Sequence, residues 1–577
     1  MQIKTRLVPT VPADFDSLAP ILQRILAARG MTALAGFDRR LPALLPYHSL
    51  LNIDKAVQRL EQALRGDERI LVVGDFDADG ATSTALAISA LRAMGAKHIE
   101  FLVPNRFEFG YGLTPAIVDL ANKWRPHLII TVDNGISSVE GVDTANAAGI
   151  DVLVTDHHLP AEVLPNAVAI VNPNQCGDSF PSKSMAGVGV IFYVMLALRR
   201  HLTDCAWFQE QGITPPNMAH FLDLVALGTV ADVVPLDQNN RILVYQGLMR
   251  IRQGLCRQGI KALVEVAGRQ CESLREMDLG FSIAPRLNAA GRLDDMSLGI
   301  ECLLCEESEK ARQWAQELDA LNVERRTIEN EMKAQALHVL QQLNLDKTSQ
   351  KMPAALCLMD ESWHQGVIGI LAGRLKERYH RPTIIFAKVS ESELKGSARS
   401  VAGLNIRDVL AAMDKDYPGL ILKFGGHAMA AGLSLMPETF AAFQQALLQE
   451  VSKHPLEGEG EIWSDGALLS SEINLETATL LHEAGPWGQQ FPEPVFDNRF
   501  EILEQRIVGQ QHLKLTLAHE QRGEPIDAIA FNIDLKAWPN HRARHLHAAY
   551  KLDVNEYRGR KKVQLLIVAL QAEPSVS

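Results

Sequence analysis

The chain has 577 residues, too many for one hydrophobic core, so three or four domains are expected, and its 47% apolar and 22% charged residues suit a globular class. No apolar run reaches the roughly 18 residues of a membrane-spanning helix, and residues 1–6 lead into no apolar stretch with a cleavage site, so neither a membrane span nor a secretory signal is expected. The net charge of −12 argues mildly against a polyanionic partner, and seven scattered cysteines suit a reducing cytoplasm.

Residues 1–50 read as a helical N-terminal extension. Residues 70–73 are a short apolar run of buried-strand type, 83–94 have helical spacing, and 99–103, 128–132, 152–155 and 167–171 repeat the strand pattern after helical stretches. Such alternation implies a parallel sheet with helices on both faces, here a domain over 51–240. A helical region follows over 241–350. Its Pro- and Gly-free run at 301–345 predicts a long connecting helix, or a helix within one larger domain. Cys302 and Cys305 belong to a buried helical face, since a zinc site would need two further ligands. A second α/β domain is expected over 351–455, and the acid-glycine stretch 457–461 marks a boundary. Over 465–577, β-formers at 500–503, 512–517, 526–531 and 563–568 predict a small β-barrel. Residues 499–562 hold 12 Lys+Arg against 8 Asp+Glu, so the excess acid lies elsewhere.

Asp75, Asp77 and Asp79 alternate just after the first strand of this sheet. They can converge only if the chain turns, which Gly74 and Gly80 permit. Carboxylates that close repel unless cations lie between them, and their oxygens suit Mg²⁺ or Mn²⁺. Alone, the segment reads equally as a solvated acidic turn. Asp133 follows the strand at 128–132, however, and Asp156, His157 and His158 follow the strand at 152–155. In a parallel sheet these carboxyl ends share one rim, where ligands bind. Asp232, an acid in an apolar stretch, is a fourth candidate, with an N-cap or core salt bridge as its alternative. Two cations on such a rim suit phosphodiester hydrolysis.

The segments GDFDADG (74–80), VPNRFEFGYGL (103–113), TVDNG (131–135), TDHHLP (155–160), PRLNAAGRLDDMS (285–297), WHQGV (363–367), FGGHAMAAG (424–432) and GPWGQQFPEPVF (485–496) resemble the DHH phosphoesterase superfamily. More narrowly, they resemble its RecJ branch of single-strand-specific exonucleases, over nearly the whole chain. Asp75 stands where small DHH oligonucleotide hydrolases and pyrophosphatases often carry His.

The resemblance implies a 5′→3′ exonuclease that releases 5′-mononucleotides from single-stranded DNA with two Mg²⁺ or Mn²⁺ ions. Asp75 and Asp77 match ligands of one metal, Asp79, His157 and Asp232 those of the other, and Asp133 the bridge. Asp156 is expected to orient an imidazole or a metal-bound water, and His158 to meet the scissile phosphate. Ser397 and Arg399, with Arg106, are expected to hold the terminal 5′-phosphate in a DHHA1-type domain, where Gly425, Gly426 and His427 let main-chain N–H groups approach. His364 is a further nucleotide contact. Arg286, Asn288 and Arg292 are candidates for strand contacts, with helix capping or interface bonding as alternatives.

The barrel resembles an OB fold. Its Lys551, Tyr557, Arg558, Arg560, Lys561 and Lys562 combine charge with a stacking ring, unless they form only a solubilising hairpin. A cleft between the α/β domains too narrow for a duplex would explain strand selectivity. The resemblance also implies recombination and repair, with single-strand-binding protein and a RecQ-type helicase as partners. The rival readings are a DHH phosphodiesterase for short oligonucleotides or cyclic-dinucleotide products, and a nuclease-dead DNA-binding scaffold, which should have lost the acids present here.

Overall fold

The computed structural model describes residues 2–105, 109, 112–342, 353–454, 461–509, 511–520, 524–533, 538, 543–557 and 559–573. Its contacts divide the chain into two units, Met1–Asp319 with Glu461–Ser577, and Ala320–Gly460.

The first unit opens on a strand, β1 (Gln2–Thr5), within the segment expected to be helical; the helix Pro20–Ala28 and short 3₁₀ turns follow. Its central sheet contains β2 (Ile70–Gly74), β3 (Ile99–Leu102), β4 (Leu128–Val132), β5 (Asp151–Thr155) and β6 (Ala169–Val171), ordered β3-β2-β4-β5-β6 with every pair parallel. Strands β2 and β4 are buried at every residue. That is why they read as unbroken apolar runs rather than alternating ones. Leu71, Val73, Ile129, Val152 and Val154 pack with Ile117, Val118, Val142 and Ala145 in one core layer.

Register sets the level of the rim. Gly74 lies opposite Val132, and Val132 opposite Thr155. Asp75, Asp133 and Asp156 are therefore each the first residue beyond the last aligned row of three adjacent strands.

The single long helix expected over 301–345 is two helices, Ser297–Leu304 and Ser308–Gln342. Cys305 ends the first with an extended backbone (φ −68°, ψ 129°). Glu309 lies in the first turn of the second, a favourable charge for a helix N-terminus. With no Pro or Gly at the break, the sequence run concealed it. Cys302 is buried, as expected of a helical core face.

The second unit holds β7 (Leu356–Asp360), β8 (Thr383–Ser390), β9 (Glu393–Arg399), β10 (Lys423–Gly426) and β11 (Ala430–Leu435), ordered β10-β11-β9-β8-β7. Only β7 and β8 run parallel. Phe386 centres its core, edge-on to Phe440 and Phe443.

The chain returns to the first unit through β12 (Glu461–Ser464), which pairs in parallel with β1 from Gln2↔Glu461 to Thr5↔Ser464. Beyond it, β13 (Phe496–Val508), β14 (His512–His519), β15 (Ile526–Ala530), β16 (His545–Tyr557) and β17 (Arg560–Glu573) close into a barrel ordered β13-β14-β15-β17-β16. Strand β14 alternates buried and half-buried residues along its length, the period-2 signature. Strand β16 was absent from the sequence expectation; its first six residues, His-Leu-His-Ala-Ala-Tyr, lack β-branched side chains. No helix among the described residues is long and apolar enough to cross a membrane.

Candidate metal centre and phosphate-binding surface

The loop after β2 feeds directly into the helix Ala78–Ala93, whose N-cap is Asp77. Asp77 Oδ1 accepts the N–H groups of Asp79 and Gly80 at 2.9 and 3.0 Å. This cap turns the chain so that three alternating acids lie at one end of the sheet instead of on opposite faces. Asn288 Oδ1 accepts the Ala78 N–H at 2.8 Å. The helix Ala284–Leu293 approaches so closely that a Cβ on Gly291 would stand 1.8 Å from the Phe76 carbonyl oxygen.

Asp133 follows β4 in a left-handed conformation, φ 63°. A Cβ on Gly187 would stand 2.7 Å from the Asp133 Cβ and Oδ1, so only glycine lets the helix Gly187–Asp204 come this near. That helix also anchors Asp79, whose Oδ2 and Oδ1 accept the N–H groups of Gly187 and Val188 at 2.7 and 2.9 Å. Asp232 is the C-cap of the helix Leu222–Ala231. A carboxylate is electrostatically misplaced at a helix C-terminus, so local helix stability does not account for it.

These groups converge on His157. Its Nε2 lies 3.0 Å from Asp133 Oδ1, 3.5 Å from Asp232 Oδ2 and 3.9 Å from Asp79 Oδ2. The potential donor atoms form three sets, each within 4.8 Å: Asp75, Asp77 and Asp133; Asp133, His157 and His158; and Asp79, His157 and Asp232, linked through Asp133 and His157. Desolvation and the surrounding carboxylates, Asp79 foremost, hold Asp133 well above the usual carboxylate range. Asp232 is raised by burial and by Asp79 and Asp77. Burial and then Asp77 push Asp79 up to about 7, against its two backbone donors. Buried acids crowded around one imidazole are the donor chemistry that divalent cations fit, and they repel one another otherwise.

Asp156 has another environment. Burial would raise its pKa, but His158, His157 and the Ile136 N–H outweigh that and lower it. Its Oδ1 meets His158 Nδ1 at 2.8 Å, and its Oδ2 accepts the Ile136 N–H at 2.9 Å. Burial disfavours charge on His158, yet Asp156 and the nearby Asp232 and Asp75 raise it to about 9.

Two supports went unread in the sequence. Asn172 and Asn174, at the carboxyl end of β6, donate to the carbonyls of His158 and His157 at 2.9 and 2.6 Å. The signal was there: residues 167–171 read as a strand, and Asn172-Pro173-Asn174 stands at its rim end. Asn134 Nδ2 likewise ties β4 to β2 through the carbonyls of Val132 (2.9 Å) and Val73 (3.1 Å).

In the second unit, Gly425 pairs with Gly432, and Gly432 with Ser397, in one row across β10, β11 and β9. A Cβ at either glycine would meet nothing within 4 Å, so a bare backbone floor adjoins Ser397. Arg399 donates to Ser397 Oγ at 3.1 Å and to the Ala398 carbonyl at 2.8 Å. Gly426 has φ 140° and His427 N–H closes the β10–β11 turn onto Ala430 O at 2.8 Å. His364, whose pKa burial lowers, accepts the Gly366 N–H at 3.1 Å just before the helix Ile368–Tyr379. A Cβ on Gly369 in that helix would stand 2.9 Å from Ser397 Oγ. The structure thus gathers Ser397, Arg399 and the glycine turn onto one surface.

Other expected contacts separate. Arg286 is buried, paired with Asp319 at 2.8 Å and bonded to the Ser282 carbonyl, so it contacts protein, as does Asn288. Arg106 and Arg558 lie outside the described residues, and Tyr557 is described only as the last residue of β16. Arg560, Lys561 and Lys562 are exposed at the β16–β17 turn. Lys551 is six residues from the turn's Tyr557, about 20 Å along the strand, and is paired with Glu493 at 2.6 Å.

With this geometry established, the relatives decide the family. A profile of the DHH family N-terminal domain matches residues 69–229, the DHHA1 domain 351–453, and the RecJ OB domain 464–569. The chain is 55% identical over 562 residues to the single-stranded-DNA-specific exonuclease RecJ of Dickeya dadantii (strain 3937), covering 97% of each. This chain belongs to the RecJ family. It is also 53% identical to the RecJ of Escherichia coli (strain K12), covering 98% of each. Among solved structures, the RecJ of Thermus thermophilus in complex with Mn²⁺ superposes with a TM-score of 0.82 at 28% identity, covering all of this chain and 80% of that one. The same protein in complex with Mg²⁺ gives a TM-score of 0.76, with 79% of it covered.

Proposed function

We propose that this chain degrades single-stranded DNA from its 5′ end, releasing 5′-mononucleotides in recombination and repair. The observation that carries the chemistry is the convergence of five buried or half-buried carboxylates and His157 on the carboxyl rim of β2, β4 and β5. Asp75 and Asp77 would hold one Mg²⁺ or Mn²⁺, Asp79, His157 and Asp232 a second, and Asp133 both. Bound there, such ions acidify water and offset charge on a phosphodiester. The protein's own contribution is placement. Asp77 caps the helix that presents Asp79, Gly187 and Val188 fix the Asp79 carboxylate, and Asn174 and Asn172 fix the His157–His158 backbone. Asp156 occupies His158 Nδ1, so Nε2 is the nitrogen that would meet the scissile phosphate.

Ser397, Arg399 and the Gly425–Gly426–His427 turn, with Arg106, would bind the terminal phosphate and thereby set polarity. The 577-residue length and the OB barrel favour long strands over the di- and trinucleotides of smaller DHH phosphodiesterases. The intact acid set disfavours a nuclease-dead scaffold. Single-strand-binding protein and a RecQ-type helicase are the partners this role requires, and seven unpaired cysteines fit a reducing cytoplasm.

Asp77→Ala should abolish cleavage while leaving DNA binding largely intact; nuclease activity surviving in a clean preparation contradicts the assignment. Strands labelled at the 3′ terminus should shorten from the other end first. Immediate release of the 3′ label would reverse the polarity.

A further inference from the structure

Next to the acid cluster the first unit contains a cavity of about 350 Å³ that none of these roles uses. One wall is the last turn of the helix Leu222–Ala231, with Thr229 and Val230, continued by Val233. The second is the π-helical turn Leu279–Ile283, with Phe281. The third comes from the segment before the barrel and from β16, with Trp487 and Lys551.

Val233 is 66% exposed and Phe281 77%, although both line this cavity. Val233 has φ 59°, a region that β-branched residues rarely enter, and π turns recur at functional sites. Exposed apolar surface on such a rim marks a site that something covers.

The lining says what. Its ionic groups are balanced within the protein: Lys551 with Glu493 at 2.6 Å, and Arg275 with Asp553 at 3.1 Å. The Glu276 carboxyl, raised by burial, accepts the Trp487 N–H at 2.9 Å. A rim whose cations are already paired attracts phosphate poorly, whereas the uncharged flat face of a base can lie on Phe281 and Val233. The volume sits at the small end of ligand pockets, roughly 300–1,000 Å³. Position points the same way. Val233 directly follows Asp232, so the occupant lies one residue from a ligand of the proposed metal centre.

We infer that this cavity is a base subsite: it takes one unpaired base of the strand engaged at the metal centre, stacked on Phe281. The inference rests on the exonuclease reading above. A base held in a duplex cannot enter, so the subsite contributes to single-strand selectivity close to the cut. Stacking on an apolar wall is indifferent to sequence, which suits an enzyme that degrades any strand.

The test moves a single abasic site along a 5′-phosphorylated oligonucleotide and measures binding to the full chain without added metal. At one position, loss of the base should weaken binding about tenfold in the wild type. Phe281→Ala should bind the intact strand about tenfold more weakly and lose that position's sensitivity, and Phe281→Trp should restore both. Because Phe281 is exposed, these variants keep the fold. The inference is overturned if no position is sensitive, or if the sensitivity persists in Phe281→Ala; insensitivity throughout would assign the cavity to an apolar protein side chain. Failure of the parent reading looks different, since the wild type would then not degrade single strands at all.

Discussion

Asp465 and Asp133 are equally hidden, their side chains 2% and 3% exposed, but their surroundings oppose each other. Asp465 receives a two-pronged contact from Arg29 at 2.8 and 3.1 Å, and Arg29 is itself 1% exposed and also bonded to the Ile25 and Pro492 carbonyls. Charge is matched there within the chain, where the N-terminal segment meets the return to the barrel. Asp133 instead faces Asp75, Asp77, Asp79 and Asp232, which hold its pKa up. One carboxylate is buried to join parts of a fold. The other is buried in a field of like charge that a bound cation would relieve, so the protein carries an electrostatic penalty at the acid cluster.

Four variants separate these cases. The largest effect should come from Asp133→Asn. Asparagine tolerates the left-handed backbone at this position, so the fold should persist while cleavage falls roughly 1000-fold, about 4 kcal/mol of transition-state stabilisation. A steady-state assay of the folded variant checks it. Arg29→Ala should do the reverse: about 3–5 kcal/mol lost in denaturant unfolding, because a buried carboxylate loses its two-pronged partner and keeps only the looser contact with Arg6 at 3.7 Å, with the activity of the folded fraction retained. If Arg29→Ala is nearly neutral, Asp465 is not the structural counterpart described above.

Asn174→Ala removes one donor behind His157 and should lower kcat about tenfold with little change in KM, as loss of an orienting contact does. The smallest effect belongs to the exposed turn. Lys561→Ala with Lys562→Ala should weaken single-strand binding slightly, and each lost phosphate contact should reduce the slope of log affinity against log salt by about 0.7. An unchanged slope would make this turn a solubilising hairpin.

The acid rim was legible because its motifs each follow a strand, and parallel strands must bring those ends to one edge. Asp75, Asp133 and Asp156 needed only that rule. Asp232 did not follow from it: it ends a helix, and only its place in an apolar stretch and the family pattern singled it out. The Asn172 and Asn174 supports were missed although they stand at the rim end of β6, because amides that bond main-chain carbonyls have no distinctive spacing of their own. Strand β16 was missed because barrel closure, not local β-propensity, holds its Ala-rich start in a ladder. The helix break at Cys305 lacked a breaker residue. The cavity beneath Phe281 is assembled from three distant segments and leaves no local pattern at all.

The central claim is that the acid cluster is a cation site whose carboxylates destabilise the chain when no cation is present. Thermal unfolding of the wild type and Asp133→Asn, each with and without Mn²⁺, tests it most directly. Without metal, Asp133→Asn should be the more stable by about 1–2 kcal/mol, because a repelling charge is gone. Mn²⁺ should raise the wild-type Tm and raise that of the variant much less. A variant that is less stable than the wild type without metal, and that gains as much from Mn²⁺, would contradict the account.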